Sequence, residues 1–247
     1  MKKALALLAL VPALALGAIP AAADDKLLTV VELYTSQGCS SCPPADAYLG
    51  ELAERDDVLA LSFHVDYWDY IGWKDPFGSP QHTQRQRDYA QTFNLRYVYT
   101  PQMVIQGNLQ ATGSNRPGIE SAIATQRHTN LRNVRMSLKK GADGRPVLTI
   151  PPSTRVKEEL EVWLVVYDRE YTTAVKRGEN RGRSITNRNV VRALERIGAW
   201  NGEAMQTPLT VADMGGGKGD ACAVILQSAR TGHILGAAKL SLDGGRS

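Results

Sequence analysis

The stretch Val30-Val31-Glu32-Leu33-Tyr34-Thr35-Ser36-Gln37-Gly38-Cys39-Ser40-Ser41-Cys42-Pro43-Pro44-Ala45-Asp46 constrains the fold more than any other. Leu27 to Tyr34 is almost continuously apolar, as in a strand covered on both faces. A short polar turn ends the run, two cysteines follow two residues apart, and helical spacing begins. Pro43-Pro44 fit a helix only in its first turn, where the missing N–H groups would lack partners anyway. Ala45, Ala47, Tyr48, Leu49, Leu52 and Ala53 then keep the helical period up to Arg55-Asp56-Asp57. Cys39 is thereby expected at or just before the positive end of the helix, where free backbone N–H groups favour a thiolate. Cys42 lies one turn on, within reach of a mixed disulfide at its neighbour.

The start of the chain indicates where such chemistry would operate. Lys2 and Lys3 precede an apolar run from Ala4 to Ile19 that closes on Ala21-Ala22-Ala23. This is the pattern of a secretory signal over residues 1–23, too short and small-residue-rich for a membrane anchor. The expected location is periplasmic or secreted, with no membrane attachment after cleavage. The formal charge of +4 loses the contributions of Lys2 and Lys3 with the signal, so the basic balance indicates no acidic partner. The arginines between Arg169 and Arg196 read as a solvated face, which excludes nucleic acid as a partner. Three cysteines in a chain of 247 residues do not make a disulfide scaffold. Cys39 and Cys42 therefore stand apart, and Cys222, within apolar Ala221-Cys222-Ala223-Val224-Ile225-Leu226, reads as a buried inert thiol.

Val58 to Val65 is the next apolar run, close enough after the helix to return beside the first strand as a β-α-β unit. An aromatic segment follows, from Phe63 and His64 through Tyr67, Trp68, Tyr70 and Trp73 to Phe77. α/β folds place binding loops at such strand ends. Ser79-Pro80 opens a polar helix that runs to about Phe93-Asn94. Thr100-Pro101 opens the strand Gln102 to Ile105, where proline is confined to the first residue or an edge and is a candidate for the cis form. Gly107-Asn108 turns into Leu109 to Gly113, and Ile119 to His128 reads as a last helix. From Asn133 the pattern changes to alternation: Val134, Met136 and Leu138, then Val147 to Ile150 across the turn Gly141-Ala142-Asp143-Gly144. Leu160–Tyr167, Tyr171–Val175, Leu209–Val211, Ala221–Gln227 and Ile234–Leu242 are further strand candidates. Asn189 to Trp200 matches neither template, and Gly215-Gly216-Gly217-Lys218-Gly219 lacks phosphate-loop spacing and reads as a turn.

Strand, Cys39-Ser40-Ser41-Cys42, helix, strand and Thr100-Pro101 together resemble the thioredoxin superfamily. More closely, Glu32 to Pro43, His64-Val65-Asp66-Tyr67-Trp68-Asp69, Gly72-Trp73-Lys74-Asp75-Pro76-Phe77, Tyr99-Thr100-Pro101-Gln102, Gly178-Glu179-Asn180 and Asn189-Val190-Val191-Arg192 are similar to exported proteins of domain of unknown function family 1223. The resemblance implies a thioredoxin-like fold, expected as an α/β domain over 24–129, and the alternating strands after it read as a mainly β, sandwich-like domain over 130–247. It also implies a cis Pro101 packed against the dithiol, with Thr100 offering backbone to a substrate. Gly38 replaces the tryptophan that precedes the first cysteine of ordinary thioredoxins, so their docking surface does not carry over.

Several assignments follow. Cys39 is the candidate attacking thiolate and Cys42 the resolving thiol, against the alternative of a structural disulfide. Glu32, in the strand leading to the dithiol, is a candidate proton shuttle or an edge carboxylate. His64, Asp66, Trp68 and Trp73 are candidate substrate-binding residues, although such histidines and aspartates also serve to anchor loops. His64 and Asp66, two apart, would share a face if both lay on one strand. The leading function is thiol–disulfide exchange with protein or peptide thiols and disulfides, without a cofactor or resident metal. A copper-binding or delivery module that holds a soft metal ion with Cys39, Cys42 and His64 is a second reading, and a non-catalytic interaction domain a third.

Overall fold

In the computed structural model, residues 27–129, 134–210, 213 and 219–242 are described; the expected signal at 1–23 and the glycine-rich turn at 215–218 lie outside them. β1 (Thr29–Thr35) is buried at every position. It pairs in parallel with β2 (Val58–His64) and antiparallel with β3 (Gln102–Ile105). Burial on both faces explains why its sequence shows no alternation. Alternate side chains still divide between two cores: Val31 and Leu33 pack with α1 (Pro43–Ala53), while Val30 and Tyr34 pack on the opposite face.

The order of the large sheet is β11-β10-β7-β8-β2-β1-β3-β4. β4 is Leu109–Thr112, β7 Leu160–Ala174, β8 Ser184–Trp200, β10 Ala221–Gln227 and β11 Ile234–Ser241. α3 (Arg116–Thr129) joins the α1 side through Ile119 and Ile123, while α2 (Pro80–Thr92) puts Tyr89 into the other core. The expected boundary at 129/130 does not coincide with a break in the sheet. β8 lies beside β2 at Ser62 and Val190, and the Asn189 amide donates to the Ala60 carbonyl at 2.8 Å. The architecture is thus an α/β arrangement extended by a β-rich region. In that region β5 (Ser137–Lys140), β6 (Pro146–Ile150) and β9 (Met205–Pro208) form a second, three-stranded sheet. Leu138, Leu148 and Ile150 pack it onto Leu164, Val166, Val224 and Leu226 of the first, with Cys222 buried between.

Three strand expectations change. Leu160–Tyr167 and Tyr171–Val175 are one strand, β7. Asn189–Trp200 belongs to β8, whose pairing with β7 shifts register at Val162/Trp163 and Val166/Tyr167. Each shift moves side chains to the other face, which erases the period of two. The strand expected at Leu209–Val211 is β9, just before Leu209; Val211 lies outside the described residues. Among the described residues, no helix is long and apolar enough to cross a membrane.

Candidate functional site

Cys39 and Cys42 stand where β1 gives way to α1, their sulfurs at disulfide distance and their Cα atoms 5.5 Å apart. Cys39 is 4% exposed and Cys42 fully buried, so only the first presents any surface. Cys42, not Cys39, occupies the N-cap. Pro43 and Pro44 have no N–H to offer, and the Ala45 and Asp46 N–H groups both donate to the Cys42 carbonyl. The Ser40 N–H donates to the Glu179 carboxylate at 3.1 Å. The expectation that free helix-start N–H groups serve the Cys39 sulfur is therefore corrected. Hydroxyls serve it instead: Thr100 Oγ1 donates to Sγ at 3.3 Å, and Ser41 Oγ lies at 3.3 Å.

The Thr100–Pro101 peptide is cis. Pro101 is buried beside Gly113, whose N–H donates to the Pro101 carbonyl at 2.9 Å. A Cβ at Gly113 would lie 2.8 Å from Ala45 Cβ and 2.9 Å from Pro101 Cβ, so only glycine lets β4, the proline and α1 approach this closely. Trp68 joins the site through its indole N–H, which donates to Thr100 Oγ1 at 2.7 Å. Its ring stacks on exposed Tyr70. The turn from Trp68 to Ile71 also lies over Gly38.

Behind the cysteines the polar groups are buried and closely tied. His64 Nδ1 and Asp75 Oδ2 are 2.7 Å apart and wholly buried, and the same carboxylate oxygen accepts the Gln37 N–H at 2.7 Å. Burial disfavours charge on His64, yet the Asp75 charge and hydrogen bond outweigh it and raise the imidazole pKa. Burial likewise opposes the Asp75 carboxylate, and His64 with the backbone N–H groups of Gln37 and Phe77 overcomes this and lowers its pKa. Trp73 reaches the site indirectly, donating to Gln37 Oε1 at 3.3 Å. Asp66 does not share a face with His64: β2 ends at His64, and Asp66 Oδ1 instead accepts the Thr83 hydroxyl at 2.5 Å, anchoring α2.

Glu32 is not part of this site. It points from β1 to the opposite face, where Oε1 and Oε2 accept from Arg85 at 2.7 and 2.9 Å and from the hydroxyls of Tyr89 and Tyr34. Since Leu33 faces α1, the neighbouring position cannot. The Cys39, Cys42 and His64 metal set fares similarly. His64 is committed to Asp75, and among the described residues no three histidine, cysteine or acidic side chains gather as metal ligands.

The least legible contribution comes from the loop between β7 and β8. Buried Asn180 donates through Nδ2 to the carbonyls of Gln37 and Cys39, both at 2.9 Å. Exposed Glu179 holds the Ser40 N–H, and that contact keeps its carboxyl below its ordinary pKa. Gln37 Nε2 donates to Thr173 and Asn187 of the same two strands. Local patterning cannot reveal such partners, which lie up to 150 positions away. The arginines of this region, read as a solvated face, pair with acids: Arg188 with Glu170, Arg192 with Asp168 and Arg196 with Glu161.

Protein AGR_C_4864 from Agrobacterium tumefaciens has a crystal structure similar to this fold, with a TM-score of 0.78 and 33% identity, covering 91% of this chain and 99% of that one. HBP35 of Porphyromonas gingivalis shares the fold more distantly, with a TM-score of 0.59 and 15% identity over 89% of this chain and 76% of that one. No curated protein matches the chain. Residues 30–227 match the family described as protein of unknown function (DUF1223), a span from the first strand through β10 that includes the cysteine pair, the cis proline and the Asn180 loop, and the chain belongs to that family.

Proposed function

We propose that this protein is an exported thiol–disulfide oxidoreductase of thioredoxin-like type, acting on protein or peptide thiols and disulfides. The observation that carries the reading is the Cys39–Cys42 pair at disulfide distance with the Thr100 hydroxyl, from a cis Thr100–Pro101 bond, on the Cys39 sulfur. A merely structural bridge has no use for such a donor, whereas a departing or attacking thiolate does. Cys39 is the sulfur a partner reaches, and Cys42, fully buried, attacks the mixed disulfide from inside. Trp68 and exposed Tyr70 flank the approach and favour partners that bring apolar surface.

In the test, the reduced Cys42→Ala variant is incubated with a disulfide-bonded peptide. A mixed disulfide that disappears on further changing Cys39→Ser is the expected result. Absence of any Cys39-dependent adduct, together with failure of the wild-type protein to reduce insulin, would overturn the reading.

A further inference from the structure

The Thr100 hydroxyl stands between two partners. Its oxygen accepts the Trp68 indole N–H at 2.7 Å, and its own hydrogen is donated to Cys39 Sγ at 3.3 Å. A hydroxyl has one hydrogen and two acceptor lone pairs, so a donor lodged on the oxygen leaves the hydrogen to point elsewhere. An indole N–H can only donate, which fixes the order of the chain as Trp68 to Thr100 to Cys39. Each link polarises the next, so the indole also strengthens the hydroxyl as a donor.

A second acceptor competes for the same hydrogen. The Tyr67 side chain also interacts with Thr100, and burial pushes its pKa up to about 12, so it stays a neutral hydroxyl. Tyr67 donates its own hydrogen to Gln86 Oε1 at 3.2 Å, which leaves its oxygen open to accept. Trp68 and Tyr67 are neighbours in the segment after β2, their ring centroids 5.7 Å apart, and Trp68 is held in place by stacking on Tyr70 at 6.2 Å. Two adjacent residues thus act on one hydroxyl: Trp68 fills its oxygen, and Tyr67 offers its hydrogen an alternative. An ionised Cys39 wins that competition, because a charged acceptor forms the stronger hydrogen bond.

We propose that Trp68 is a positioning residue for Cys39: its indole N–H holds the Thr100 hydroxyl on the Cys39 sulfur and so stabilises the thiolate. The proposal rests on the exchange reading above and adds to it a residue that lies outside both the cysteine turn and the strand after Pro101. The consequence is redox as well as acid–base. When two glutathione thiols reduce the Cys39–Cys42 bond, the protein gains two electrons and one glutathione disulfide forms. A stabilised Cys39 thiolate favours that reduced side. The titratable groups facing the cysteine turn are Tyr67 beside Thr100, His64 and Asp75 on Gln37, Asp69 on the Asp75 N–H, Asp46 on Thr35 and Glu179 on Ser40. All six are retained in the variants below, so a shift among them reports the indole and the hydroxyl.

The test uses the full chain in a Cys42→Ser, Cys222→Ala background, which leaves Cys39 as the single thiol, alkylated by iodoacetamide from about pH 4 to pH 10. The rate profile gives the Cys39 pKa. Thr100→Val should raise it by about 1 pH unit, the loss of one hydrogen bond to a charged group. Trp68→Phe, which keeps a ring beside Tyr70 and deletes the N–H, should raise it by about 0.5 unit. In the double variant Trp68→Phe should add nothing to Thr100→Val, since the indole acts only through that hydroxyl. With all three cysteines present, Trp68→Phe should favour the disulfide by about threefold in glutathione buffers. The benzothienyl analogue of tryptophan at position 68, which lacks only the N–H, serves if Trp68→Phe does not fold. No shift, or a shift that persists in full beside Thr100→Val, overturns the proposal with the exchange reading intact. A Cys39 that alkylates at no pH in the unchanged Trp68 background overturns both.

Discussion

The Asn180 side chain donates from Nδ2 to the carbonyl oxygen of Cys39 at 2.9 Å across 141 positions of chain. A second donation to Gln37 makes this one amide the brace of the turn that carries the dithiol. The β-rich part of the chain thereby helps to build the cysteine site, through the loop that joins its two longest strands.

Asn180→Ala should leave both carbonyls without this donor in a buried setting. The Cys39 carbonyl keeps the Cys42 N–H at 3.3 Å, whereas the Gln37 carbonyl is left as a buried unsatisfied acceptor of the kind that costs about 1–3 kcal/mol, so urea unfolding should show a loss of about that size. Alkylation of reduced Cys39 should change as the turn loosens. A stability change below about 0.5 kcal/mol would show that the brace carries no energy.

Glu32→Gln should separate fold from chemistry. The Glu32 and Arg85 side chains are 1% and 9% exposed, and neutralising one partner of such a pair typically costs about 3–5 kcal/mol, because it strands the other charge. The pH profile of Cys39 alkylation should not move, since Glu32 faces the far side of the sheet. A displaced profile would return Glu32 to the mechanism.

Asp46 should also be visible in the stability of the oxidised protein, where no thiol titrates at the site. Its folded pKa of about 6 lies above the ordinary value of 3.8, so the folded state holds a proton that the unfolded state has released. The associated stability is complete below about pH 3.8 and is lost as pH rises through 6, for a total near 3 kcal/mol. Asp46→Asn cannot lose that proton. Its stability relative to wild type should therefore rise between pH 4 and pH 7.5 by up to about 3 kcal/mol in paired urea titrations. A flat difference would show that Asp46 is already ionised in the folded state at pH 4.

Legibility differs from residue to residue for physical reasons. Cys39, Cys42 and Pro101 announce themselves because spacing, strand-to-helix transition and proline each restrict the backbone locally. Glu32 misled because a strand buried on both sides shows no alternation, so its sequence does not tell which face a carboxylate meets. His64 and Asp66 look like a same-face pair, and the end of β2 between them sends one to Asp75 and the other to Thr83. Asp46 passes as an ordinary first-turn acid until burial and the unpaired His64 nitrogen are seen together.

What the chain determined by itself was local: a strand that stops at a turn, a dithiol, a helix that tolerates two prolines, and a proline at the mouth of β3. Each follows from backbone restriction or hydrophobic period within about a dozen residues. Tertiary structure alone decided that β8 continues the sheet beside β2, that Asn180 and Glu179 hold the cysteine turn, and that Asp46 and His64 share the interior behind it. Those relations depend on which faces two distant strands present to each other. Two register shifts in the β7–β8 ladder alter that choice without leaving a periodic trace.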